Sequence, residues 1–139
     1  MSFLLDTNVV SEWVKPQPNP GVVAWLADAD EERVFLSAVT LTELRYGIER
    51  MASGGRKKKL DHWLGEELPL RFEGRILAID SAIANGCGKL VARSEAVGTR
   101  MELVDAFIAA TAENYSLTVV TRNTSHFKIL VRAVLNPWS

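Results

Sequence analysis

The chain has 139 residues, 47% of them hydrophobic, and a formal charge of −1. That length suits one domain with its own core, and the near-zero charge excludes a molecule that draws nucleic acid by its overall field, leaving only a local basic patch for such a role. The single cysteine, Cys87, excludes an internal disulfide and a cysteine-rich zinc site, so a metal site would be built from oxygen atoms and would take a hard cation such as Mg²⁺, Mn²⁺ or Ca²⁺.

The opening Met1-Ser-Phe-Leu-Leu-Asp6 has a short apolar run without the basic start and long apolar stretch of a signal peptide. Phe3-Leu4-Leu5 reads as a buried strand ending at Asp6, and Thr7 to Val14 as a short helix. Pro16, Pro18 and Pro20 then impose a loop. Gly21 to Ala29 returns to helical spacing, with Val22, Trp25, Leu26 and Ala29 on one face. Arg33 to Leu36 is the second predicted strand. Ser37 to Ala52 is the clearest helix, because Leu41, Leu44, Ile48 and Met51 recur at steps of three and four. A further helix is predicted from Arg56 to about Glu67, with Pro69 just beyond. Arg75 to Ile79 is the third strand, and Asp80 caps a helix running to about Val97, closed by Gly98. Leu103 to Tyr115 is helical, Leu117 to Thr121 is a β-branched strand, and Ile129 to Leu135 is the last strand. Strands alternating with helices predict an α/β fold, with a mostly parallel central sheet of about five strands flanked by helices. Ligands of such sheets gather beyond the carboxyl ends of the strands. Asp6 follows the first strand and Asn123 the fourth, so both are candidates for one crevice.

Three acids begin helices in separate segments. Asp6 opens the helix after the first strand, where it serves equally as an N-cap. Glu43 lies three residues after Thr40, the spacing of a capping box. If Ser37 is the cap instead, Glu43 sits in the second turn and capping does not explain it. Asp105 lies in the first turn of its helix, which the macrodipole favours, yet its neighbours Val104, Ala106, Phe107 and Ile108 are apolar. Three carboxylates brought together would repel, and a divalent cation removes that conflict. Oxygen-bound metal that activates water is the requirement of phosphoryl hydrolysis.

The segments Leu4-Leu-Asp-Thr-Asn-Val-Val-Ser-Glu12, Leu36-Ser-Ala-Val-Thr-Leu-Thr-Glu-Leu-Arg-Tyr-Gly47, Leu103-Val-Asp-Ala-Phe-Ile-Ala-Ala-Thr111 and Val120-Thr-Arg-Asn-Thr-Ser-His-Phe127 occur in that order. Together they resemble the four motifs of PIN domains. The closing Leu135-Asn-Pro-Trp138 is similar to the VapC and FitB branch of that family. The resemblance implies a PIN domain over residues 1–139 and a Mg²⁺- or Mn²⁺-dependent endoribonuclease. It makes Asp6, Glu43 and Asp105 the metal-site acids and Asn123 the fourth catalytic position. The fourth position is often Asp, so Asn123 offers a neutral oxygen and leaves the number of metals open. His126 stands where many relatives carry another Asp. Thr7, Asn8 and Thr121 are candidate supports for the acids or for bound water, with helix start and strand completion as their plainer roles.

Arg56, Lys57, Lys58 and Lys59 form the one dense basic run, a possible RNA contact or a solvated helix start. Trp13 is a possible stacking face for a base, or a core residue. The resemblance also implies a toxin paired with an antitoxin, commonly a homodimer, in the cytoplasm and with no membrane segment. The alternative is a catalytically weak PIN-fold module that binds antitoxin or RNA, a reading fed by Asn123. A magnesium phosphatase of the haloacid-dehalogenase type is disfavoured, because its second Asp is replaced by Asn8.

Overall fold

The computed structural model describes residues 1–139. Five strands form one sheet: β1 (Phe3–Leu5), β2 (Val34–Ser37), β3 (Ile76–Leu77), β4 (Thr118–Val120) and β5 (Val134–Leu135). Their order is β3-β2-β1-β4-β5 and every pairing is parallel. The chain thus builds outward from β1 in one direction, then returns to the other side of β1. The reversal falls between β1 and β4, where an open parallel sheet leaves a crevice at its carboxyl edge.

Eight helices connect the strands: α1 (Thr7–Trp13), α2 (Pro20–Asp28), α3 (Ala38–Glu49), α4 (Gly55–His62), α5 (Leu68–Arg71), α6 (Ser81–Ala96), α7 (Leu103–Tyr115) and α8 (Thr124–Phe127). Strand alternation sends successive side chains to opposite faces of the sheet, and two cores result. Leu4 and Val119 pack with Ile83, Cys87, Ile108 and Phe127 beneath α6, α7 and α8. Leu5 and Val120 pack with Val9, Val10, Leu36, Leu44 and Phe72 beneath α1 to α5. Burial leaves Cys87 a free thiol with its pKa raised.

Three predicted elements differ. The third strand was expected over Arg75–Ile79, but only Ile76–Leu77 pairs. The last strand was expected over Ile129–Leu135, but only Val134–Leu135 pairs. Phe127, Leu130 and Val131 are buried, and their spacing is that of a helical turn. The Leu130 and Val131 amides both donate to Phe127 oxygen, which extends α8 as a turn. The helix expected over Arg56–Glu67 instead runs as α4, a π-helical turn at Trp63–Glu67 and α5, carrying the helical path through Pro69. Proline lacks an N–H and crowds the carbonyl four residues back. The wider turn just before Pro69, with the Leu68 amide donating to Trp63 oxygen, gives that carbonyl room.

Candidate active site

Asp6 leaves β1 at its carboxyl end, where Leu4 and Leu5 bury the strand and carry the carboxylate below the surface. The residue is only 4% exposed. It is indeed the N-cap of α1: the Thr7 amide donates to Oδ1 at 2.8 Å. Capping does not exhaust it. The fully buried Thr121, next to β4, donates its hydroxyl to Oδ2 at 2.8 Å, and Asn8 Nδ2 approaches the same oxygen at 3.4 Å. Desolvation dominates and pushes the Asp6 pKa up to about 6, aided by repulsion from Asp105 and Glu43 and opposed by the Thr121 and Thr7 bonds.

Glu43 is not a capping-box partner. Ser37 is the N-cap of α3, accepting from the Val39 amide at 3.1 Å, and this leaves Glu43 in the second turn. The Thr7 hydroxyl donates to Glu43 Oε1 and approaches the Thr40 hydroxyl at 3.4 Å. Asp105 stands in the first turn of α7 with its side chain 22% exposed. Burial raises its pKa, while His126, whose Nδ1 lies 3.5 Å from Oδ2, pulls it back.

These acids line one open crevice of about 380 Å³, together with Thr7, Asn8 and Asn123. Asn8 bridges it: Nδ2 lies 3.3 Å from Thr121 Oγ1, and Oδ1 accepts from the Arg122 amide at 3.4 Å. Asn123 donates its amide to Thr121 Oγ1 at 3.0 Å and makes no side-chain cap bond to α8. On the far side of Asp105 and His126 a second pocket of about 420 Å³ is walled by Met101 and Leu130.

Chemically, the donor set suits a hard cation: three carboxylates and an amide oxygen, no sulfur, and acids whose mutual repulsion a cation would relieve. With the side chains as they stand, no three of the acids close around a single point. Glu43 is turned to Thr7 and Asp105 to His126. Cation binding at all three would therefore require Glu43 and Asp105 to leave these partners and converge on one point.

The basic run lies elsewhere. Arg56 to Lys59 occupy the first turns of α4 and none lines the crevice. Lys57 Nζ donates to Glu49 oxygen at 3.3 Å. Trp13 is a packing residue, edge-on to Phe72 at 6.4 Å and covered by the Arg71 guanidinium at 4.3 Å. Five crevice residues escaped the sequence reading: Ser11, Glu12, Lys15, Arg122 and Trp138. Glu12 is buried, accepts from Lys15 Nζ and from the Asn19 amide, each at 2.8 Å, and is held below its usual pKa chiefly by Lys15. A signal was present: Asn8, Ser11, Glu12 and Lys15 recur at steps of three and four, a polar stripe facing the crevice.

The sequence pattern of the PIN domain matches residues 3–130. The chain is 43% identical to the toxin FitB of Neisseria gonorrhoeae over 98% of both chains. It is 38% identical to the VapC ribonuclease Y4jK of Sinorhizobium fredii, over 98% of this chain and 97% of that one. Among solved structures, FitAB bound to the IR36 DNA fragment superposes with a TM-score of 0.92 at 40% identity, covering 99% of this chain and 96% of the other.

Proposed function

The chain belongs to the PIN-domain family, and from that premise we propose that it is an endoribonuclease, the toxin of a toxin–antitoxin pair. The observation that carries the reading is the crevice: Asp6, Glu43 and Asp105 come from β1, α3 and α7 and face one space at the reversal of strand order. The similarity to a VapC ribonuclease and to a FitB toxin supports the substrate class and the biological setting.

In this reading Asp6, Glu43 and Asp105 would hold Mg²⁺ or Mn²⁺, with the neutral oxygen of Asn123 beside them. When bound, such a cation offsets the charge of the phosphodiester and acidifies water. The protein's part is orientation. Thr121 and Asn8 fix both the position and the rotation of the Asp6 carboxylate, while Thr7 holds Glu43 in its metal-free position, from which it would turn to the cation. His126 sits on Asp105, so a histidine replaces the extra acid that relatives often carry. Water attacks phosphorus, the P–O3′ bond breaks, and the products are a 5′-phosphate and a 3′-hydroxyl. RNA extending past the crevice would have Arg56 to Lys59 on α4 as a further contact. An antitoxin would silence the site by placing a basic side chain among the acids, and a homodimer is the expected assembly. No helix is long and apolar enough to cross a membrane, and the cytoplasm is the proposed location.

The commitment of Glu43 to Thr7 and of Asp105 to His126, together with Asn123, favours a second reading: a PIN-fold binder of antitoxin or RNA with little turnover. One assay separates the two. A pool of structured and single-stranded RNA is incubated with antitoxin-free protein and Mg²⁺ or Mn²⁺, with EDTA and Asp105→Asn as controls. The ribonuclease reading expects cleavage that EDTA abolishes and that Asp105→Asn lowers by at least about 100-fold, as loss of a charge-stabilising group does. Absence of cleavage would leave the binding reading in possession.

A further inference from the structure

We propose that Arg122, held against the ring of Trp138, receives an RNA phosphate at the rim of the acidic crevice; the inference rests on the ribonuclease reading above. The crevice has two cations, Lys15 and Arg122. Lys15 is committed to Glu12 at 2.8 Å. Glu12 also feels the charge of Arg122, but its oxygens are already occupied by Lys15 and the Asn19 amide. Arg122 is exposed, and its guanidinium has an aromatic face for a neighbour, with its carbon 5.5 Å from the centre of the Trp138 ring.

Both partners are fixed. Arg122 follows Thr121, the residue that donates to Asp6, and its own amide donates to Asn8 at 3.4 Å. Its backbone is therefore placed by the same bonds that place the first acid. Trp138 is half-buried against the α1–α5 core, and its amide closes a turn on Asn136 Oδ1 at 2.9 Å. The next residue, Ser139, donates its amide to Asn19 Oδ1 at 3.1 Å. A guanidinium lying on an aromatic face keeps its edge donors for an oxyanion and loses little freedom when it binds one. Because Arg122 already lies over Trp138, the occupant that fits is a phosphate and not a stacked base.

The arrangement also answers an electrostatic problem. RNA approaches a crevice of three acids, and each phosphate adds to the repulsion. A cation on the rim attracts a phosphate beside the one to be cut and leaves the acids free to act on the scissile group. Arg122 is then a substrate-positioning residue whose contribution falls mainly on KM.

The test measures binding of a short single-stranded RNA to the full chain in Ca²⁺ across a salt series, with KM and kcat in Mg²⁺ alongside. For Arg122→Ala, affinity should fall roughly 10- to 100-fold, the range for a bond to a charged group. The slope of log affinity against log salt should flatten by about 0.7, the value for one phosphate contact on a single strand. Arg122→Lys should retain the slope and recover part of the affinity. Trp138→Phe should bind as wild type, and Trp138→Ala should lose part of the Arg122 effect. An unchanged slope in Arg122→Ala overturns the inference while leaving the ribonuclease reading intact. RNA binding without cleavage sinks the ribonuclease reading and lets the slope decide the role of Arg122. A wild type that binds no RNA sinks both.

Discussion

Asp6 shows how one side chain is held in a strained electrostatic position. It caps a helix, and that alone would keep its pKa low. Its depth and its acidic neighbours outweigh the cap and raise it from 3.8 to about 6. The folded state therefore holds the proton more tightly than the unfolded chain. Stability contributed by Asp6 is greatest at low pH and declines as pH rises from about 4 through 6. At about 1.4 kcal/mol per pH decade, the full cost of ionisation is of order 3 kcal/mol. Asp105 acts in the same direction, since its pKa is also raised by burial. Glu12 acts oppositely, because Lys15 lowers its pKa and its stabilisation is lost as pH falls. Asp6→Asn removes the first contribution alone. In metal-free buffer the variant should be more stable than wild type above pH 6, with the gap shrinking towards pH 4. Urea melts at a series of pH values provide the comparison. A gap that stays constant with pH would mean that the burial of Asp6 carries no electrostatic cost.

At the level of elements, the chain's closing residues brace the crevice through α2. Gly21 lies in the first turn of that helix, and a Cβ built there would lie 2.4 Å from the Pro137 oxygen and 2.6 Å from the Ser139 nitrogen. Those atoms are backbone and cannot swing aside. Gly21→Ala should push the tail off Asn19, release Trp138 and cost about 1–3 kcal/mol, the range for overpacking. Tryptophan fluorescence and a thermal melt would report it; wild-type values for both would show that the tail yields freely. Neither this contact nor the site's assembly is local, and that marks where the sequence stopped being legible. Strands β1 and β4 could be read because buried strands form short runs of apolar or β-branched residues, as in Phe3-Leu4-Leu5 and Thr118-Val119-Val120. Helix α3 could be read from its repeat of Leu41, Leu44 and Ile48. The turn at Phe127, Leu130 and Val131 was misread as strand because so short an apolar run fits either period. Asp6, Glu43 and Asp105 stood out as acids at helix starts, and the motif order named them as a set. That Arg122 and Trp138 border the same crevice depends on β5 pairing with β4 and carrying the tail across to α2. Pairing over that reach leaves no local periodic mark.

On the scale of the whole molecule, the crevice sits where the two cores meet. Glu43 comes from α3 on one side of the sheet, Asp105 from α7 on the other, and Asp6 from the strand between them. A cation held by all three would therefore tie the two helical layers together at the open edge of the sheet, in addition to cancelling their repulsion. By mass action, a ligand at about 100 times its dissociation constant adds about 2.7 kcal/mol to folding stability. For a domain of this size that corresponds to a rise of roughly 8 °C in Tm. Mn²⁺ or Mg²⁺ titrated into wild type at pH 7.5 should produce a saturable shift of that order. At pH 5 the shift should shrink, because Asp6, with a pKa of about 6, is then mostly protonated and the proton competes with the metal. Asp105→Asn should start from a higher metal-free Tm, having lost one repelling charge, and gain less on titration. Ca²⁺ should act through the same oxygen donors, so it serves as a control for charge without turnover. Differential scanning fluorimetry on the three titrations decides the matter. Equal shifts in wild type and Asp105→Asn would place the cation outside the span between the layers. A shift as large at pH 5 as at pH 7.5 would remove Asp6 from its coordination.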